Sequence, residues 1–183
     1  LTALGGSGAT PAAGLNAQVI VVRSFDELKA RAAEVKGRIV LFDVPFDQYM
    51  ADRGLAGPAY GQGSNYRTNG PRTAAQMGAV AALVRSVGGA NYRLAHTAAT
   101  RLDDNARIPA AAVSVEDAML MSRLAARGPL SMRLTLTPQT HADADSFNVI
   151  ADFPGTDKPE EIVIVSGHLD SWDLGTGAHD DAA

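Results

Sequence analysis

The chain has 183 residues, enough for one domain, or one domain and part of a second. A net charge of −4 argues against a nucleic-acid surface, and no run of about 18 apolar residues is present to form a membrane-spanning helix. With no Cys there are neither disulfides nor thiolate ligands, so any metal falls to His and carboxylates. The opening residues lack the basic and then apolar pattern of a secretory signal.

Residues 1–16 are rich in Gly, Ala, Ser and Thr and read as a loop or entry linker without chemistry. Residues 17–23 (AQVIVVR) predict a strand. Ser24 then opens a helix, with Glu27 placed for a capping box. Phe25, Leu28, Ala32 and Val35 share one face of that helix, Gly37 ends it, and residues 38–42 (RIVLF) form the next strand.

Residues 43–70 read as a long irregular stretch. Tyr49, Tyr60, Tyr66, Arg53 and Arg67 make it a mobile surface loop or a contact surface. Gly61-Gln62-Gly63 is no phosphate loop, since no strand precedes it and no Lys follows. Pro71 suits the first turn of a short helix ending near Gly78. A small-residue strand follows at 79–84, then loop over 85–107, where His96 reads as a surface histidine. Residues 108–113 predict another strand, Ser114 caps a helix that ends at Gly128, and 131–137 alternate as a half-buried strand. Residues 17–137 thus read as an α+β module.

Residues 138–145 (PQTHADAD) read as a solvated boundary, so that His141, Asp143 and Asp145 are linker residues rather than ligands. Residues 146–153 (SFNVIADF) and 162–165 (IVIV) predict two strands that pair as a hairpin across the turn at 154–157. The second strand delivers His168 and Asp170 at its C-terminal tip, where an open α/β sheet places its chemistry. Two imidazoles and four carboxylates fall within the fourteen residues 168–181. In an extended segment His168 and Asp170 face the same way, so the carboxylate can take a proton from one imidazole nitrogen and leave the other for a metal. After a Gly-rich turn, Asp180-Asp181 adds carboxylates able to bridge two cations; the competing reading is a polar turn with helix-capping aspartates.

The run SGHLDSWDLGTGAHDDAA resembles the first metal-ligand segment of the co-catalytic di-zinc exopeptidases. The likeness extends upstream through VVRSFDELKARAAEVKGRIV, YRTNGPRTAAQMGAVAALVRSV, IPAAAVSVEDAMLMSRLAARG and DADSFNVIADFPG, nearly the whole chain. It implies an α/β protein overall: an α+β protease-associated domain at 17–137, then from 138 the first strands of an α/β di-zinc aminopeptidase-type domain. His168 would be a zinc ligand, Asp170 its orienting partner in catalysis, and Asp180 the carboxylate bridging two zinc ions. His179 occupies a position the family varies and is not taken as a ligand.

The family's Glu-Glu pair, a further acidic ligand and a final His are expected beyond Ala183, so the chain alone is expected to be inactive. The longer 47–65 loop is a departure that bears on substrate access. The implied activity is metal-dependent exopeptidase action on short peptides or dipeptides, in a secreted or periplasmic setting, with a homo-oligomer as an option. The alternative is a non-catalytic receptor-like or interaction module of the same architecture.

Overall fold

The computed structural model describes residues 1–89, 92–172 and 174–177. It divides into two units, Leu1–Thr140 and His141–Ala183.

The first unit is a mixed α/β structure built on a six-stranded sheet. Its strands are β1 (Thr2–Ala3), β2 (Leu15–Val22), β3 (Ile39–Phe42), β4 (Ala81–Arg85), β5 (Ala110–Val113) and β6 (Ser131–Leu134), in the order β1-β5-β4-β3-β2-β6. Strands β2 to β5 run parallel, while β1 and β6 close the two ends antiparallel. Periodicity located the central strands but carried no information about direction. Direction follows from the connections: segments long enough to hold a helix link β2 to β3 and β3 to β4, as parallel pairing demands.

Helices α1 (Phe25–Ala30), α2 (Ala32–Val35) and α4 (Ala56–Gln76) cover one face of the sheet, and α5 (Val115–Ala125) covers the other. Successive β3 residues therefore bury in opposite directions. Val40 and Phe42 join Ile20, Val22, Leu28, Val35 and Ala74, whereas Ile39 and Leu41 join Leu83, Ala118, Met121 and Leu134. Phe25, Phe42 and Tyr66 form an aromatic group between α1, β3 and α4, with the Phe25 and Tyr66 rings stacked at 4.5 Å.

Ser24 caps α1 by accepting from the Glu27 backbone N–H, and Ser114 caps α5 by accepting from that of Asp117. The Glu27 carboxylate departs from a capping box: it accepts from the N–H of Arg23, one residue before the cap. Arg31 ion-pairs with Glu27 and Glu34, and its Nη1 donates to the carbonyl of Val21 on β2. Residues 1–16, expected to be an entry linker, contain β1 and bury Leu4 in the core.

The irregular stretch expected over 43–70 is instead largely helical. Helix α3 (Gln48–Met50) leads across a kink, where Arg53 and Gly54 leave helical geometry, into α4, which is 21 residues long. Pro71 lies inside α4 rather than at a helix start, and so leaves the Arg67 carbonyl without its usual intrahelical donor. Low helix propensity from four glycines and polar side chains hid this helix in the sequence. Packing overrides the propensity. A Cβ on Gly70 would lie 2.9 Å from Phe42 Cε2, and one on Gly63 would lie 2.8 Å from Val87 Cγ1, so the glycines let α4 sit directly on its neighbours.

Two of the sheet's strand ends are tied to α5 by a buried polar group. Arg85 Nη1 donates to Asp43 Oδ1 at 2.9 Å, and Ser122 Oγ donates to Asp43 Oδ2. Asp43 is only 4% exposed.

The second unit differs from the sequence expectation. Neither 146–153 nor 162–165 forms a strand, and no hairpin joins them. The apolar side chains Phe147, Phe153, Ile162, Val163, Ile164 and Val165 are exposed, from 81% to 95%. An isolated two-stranded hairpin is marginal in water without a sheet or helix to receive its apolar face, and the described residues of this unit contain neither.

Three measurements check this account. Gly70→Ala should lower the urea-unfolding free energy by about 1–3 kcal/mol through overpacking. Gly61→Ala, where a Cβ meets nothing within 4 Å, should instead raise it by about 0.5–1 kcal/mol through helix propensity. Asp43→Ala should cost about 3–5 kcal/mol by stranding the Arg85 charge, and the double variant with Arg85→Met should recover part of that.

A fourth concerns pH. A hydrogen bond from Arg93, then one from Ser114, holds the Asp117 carboxyl below its ordinary range. Its stabilising contribution is therefore complete above the unfolded value of about 3.9 and disappears as pH falls through the lower folded value. The gap in thermal midpoint between wild type and Asp117→Asn should be constant from neutral pH down to about 5 and close below about 4.

Candidate metal centre

The ligand-type residues the sequence singled out lie in the second unit. His168 and Asp170 sit in exposed chain outside any helix or strand, with side chains 48% and 91% accessible. His168 Nδ1 lies 2.9 Å from the backbone carbonyl oxygen of Asp170 and 3.1 Å from its Oδ1. Both of those oxygens can only accept when the carboxylate is ionised, so the contact requires the proton on Nδ1. That tautomer places the ring's lone pair on Nε2, the form in which imidazole ligates a metal.

The chain then turns. Gly175 N–H donates to the Trp172 carbonyl at 2.9 Å, and Ser171 Oγ donates to the Gly175 carbonyl at 3.1 Å. These bonds define the bend after Asp170. Asp180, the expected bridging carboxylate, lies outside the described residues, as do His179 and Asp181. Among the described residues no group of three or more His, Asp or Glu side chains converges on a point. His141, Asp143 and Asp145 are exposed and form no such group either.

A sequence model described as Peptidase family M28 matches residues 148–183. Carboxypeptidase Q from Pongo abelii is 44% identical over 97% of this chain, and the Homo sapiens protein of that name is 43% identical over the same share. The chain belongs to peptidase family M28. It spans 36% of the length of those two relatives. A crystal structure of a peptidase M28 precursor from Shewanella amazonensis matches 96% of this chain and 39% of its own, with a TM-score of 0.74 and 36% identity. The M28 match by family model thus falls on the stretch that holds His168 and Asp170, and the likeness to the relatives extends over both units.

A second polar cluster, in the first unit, was not legible in the sequence. Arg67 Nη1 donates to the Tyr60 hydroxyl at 3.1 Å, and that hydroxyl lies 3.2 Å from His96 Nε2. Tyr60 and Arg67 stand seven residues apart on α4, two turns of one helix face. That spacing was the available signal, and reading 43–70 as irregular suppressed it. His96, expected to be a surface histidine, is exposed, and its ring also meets Tyr60.

The tautomer is directly testable. In long-range proton–nitrogen spectra at pH 8, His168 should be mainly the Nδ1–H form, and Asp170→Ala, which removes Oδ1 but keeps the backbone carbonyl acceptor, should move it only part of the way toward the Nε2–H form that free imidazole favours.

Proposed function

We propose that this chain is part of a zinc-dependent exopeptidase acting on short peptides or dipeptides. The observation that carries the proposal is the His168–Asp170 contact lying within the segment matched by the M28 family model. Residues 17–137 would form a protease-associated domain, and 138–183 the beginning of the catalytic domain. A secreted or periplasmic setting belongs to the same proposal.

The donor chemistry fits zinc. Imidazole nitrogen and carboxylate oxygen are its usual ligands where Cys is absent, and the carboxylate behind His168 Nδ1 is the common support for a zinc-bound imidazole. His168 would hold one ion through Nε2, and Asp180 would bridge that ion to a second. Zinc bound there would acidify water and polarise the peptide carbonyl. Asp170 has the task the geometry supports best: it keeps the proton on His168 Nδ1 and holds the ring in one orientation, so that no ring flip or tautomer change precedes metal binding. The general base that takes a proton from water would come from a glutamate outside this sequence. Since the chain carries part of a ligand set, it should be inactive by itself.

The test uses the full-length parent protein and the 183-residue chain side by side, each with added zinc and an unblocked dipeptide. The parent should hydrolyse the dipeptide and lose activity to a chelator. Its His168→Ala and Asp180→Ala variants should lose at least about 100-fold in kcat/KM, and Asp170→Asn about 10–100-fold. Zinc-loaded parent that leaves the dipeptide intact would favour a non-catalytic, receptor-like role. Turnover by the 183-residue chain would refute the incomplete-site part of the proposal.

A further inference from the structure

Arg67 is the one arginine among the described residues whose side chain lies in the core, with 7% of the residue exposed. A buried guanidinium is normally matched by a carboxylate, because an unmatched charge in a poorly polarisable setting is costly. Arg85, whose side chain is 14% exposed, obeys that rule by meeting Asp43. Arg67 meets no carboxylate among the described residues.

Its interactions are one neutral hydrogen bond, from Nη1 to the Tyr60 hydroxyl, and a position 5.6 Å over the Tyr60 ring. Its Nε is buried with no hydrogen-bond partner at all. Burial without a counter-charge is thus concentrated at a single residue, and the ring beside it leads outward. Tyr60 is 36% exposed, and its hydroxyl is shared with His96, which is exposed.

We propose that Arg67, Tyr60 and His96 form a binding site for a carboxylate group. The planar guanidinium, with parallel N–H donors, matches a carboxylate better than a spherical anion. The Tyr60 hydroxyl and the His96 ring form the mouth, where a carboxylate would accept from the phenol and feel the buried positive charge with little screening. Yielding of the Tyr60 ring brings the carboxylate onto the guanidinium itself, where it supplies the charge that no described side chain supplies. The site lies wholly within the first unit, so it stands independently of the peptidase proposal. The carboxylate can belong to a peptide C-terminus or to an Asp or Glu side chain, and the chemistry that recognises it is the same.

The full 183-residue chain, labelled with nitrogen-15 and carbon-13, is titrated at pH 6 while the Arg67 Nε–H and His96 ring resonances are followed. Sodium N-acetylglycinate should shift both saturably, and sodium chloride at equal ionic strength should not. N-acetyl-Gly-Ala with a free C-terminus and N-acetyl-aspartate amide then separate the two sources, and saturable binding by either supports the site. Loss of the phenol in Tyr60→Phe should weaken binding about tenfold, as expected for a hydrogen bond to a charged group. Arg67→Lys, which keeps the charge and loses the fork, should also weaken it about tenfold. If that buried substitution prevents folding, the surface-reaching Tyr60→Phe carries the comparison. The proposal is overturned if no carboxylate shifts the two resonances saturably, if chloride or N-acetyl-glycinamide reproduces the shifts, or if folded Tyr60→Phe binds like wild type.

Discussion

Strand β3 is closed to water on both faces: Ile39, Val40, Leu41 and Phe42 are all 0% exposed. A strand in that position can be stable only if something apolar lies above it and below it. The placement of α1, α2 and α4 on one side and α5 on the other answers that requirement. So does the choice of small residues in the neighbouring strands. Ala81 and Ala82 in β4 and Ala110, Ala111 and Ala112 in β5 are all buried, and they allow the helices to approach the sheet closely. Asp43, one residue beyond β3, then uses the end of the same strand to hold Arg85 and Ser122 together.

The parts of this architecture visible in the sequence are those governed by short-range pattern. Apolar runs located the five longer strands of the first unit, and Ser24 and Ser114 marked the starts of α1 and α5. Helix α4 escaped because its glycines and Pro71 are local signals for irregular chain, while the contacts that make it helical are long-range. Gly70 against Phe42 and Gly63 against Val87 exist only after β3 and β4 are in place. Residues 146–153 and 162–165 show the opposite limit. Their pattern is that of buried strands, but a pattern specifies which face is to be covered and does not supply the cover. Ile162 to Val165 keep strand-like composition and remain exposed.

The candidate metal centre divides in the same way. Spacing of two residues brought His168 and Asp170 to attention, and their contact is local, so it needs nothing from elsewhere in the fold. A complete ligand set is a long-range property, assembled from segments distant in sequence. No motif within this chain could state where those segments come from. The Arg67, Tyr60 and His96 group belongs to the long-range class as well: it requires both a continuous α4 and the segment after β4, joined through the His96 N–H donating to Ser86 Oγ.

The pairing of Arg31 with Glu27 has a consequence beyond helix stability. Strand β6 pairs with β2 only over Leu15–Gln18, so the later part of β2 has no strand on its outer side. Exposed strand edges of this kind recruit strands from other molecules. Here the Arg31 guanidinium occupies the Val21 carbonyl and the Glu27 carboxylate occupies the Arg23 N–H. Two charged side chains, each neutralising the other, take up backbone groups that an incoming strand would have to use. Colloidal behaviour of the protein at high concentration is thereby linked to one ion pair that runs from the first turn of α1 to its C-cap, because the helix covers the part of the β2 edge that β6 leaves open.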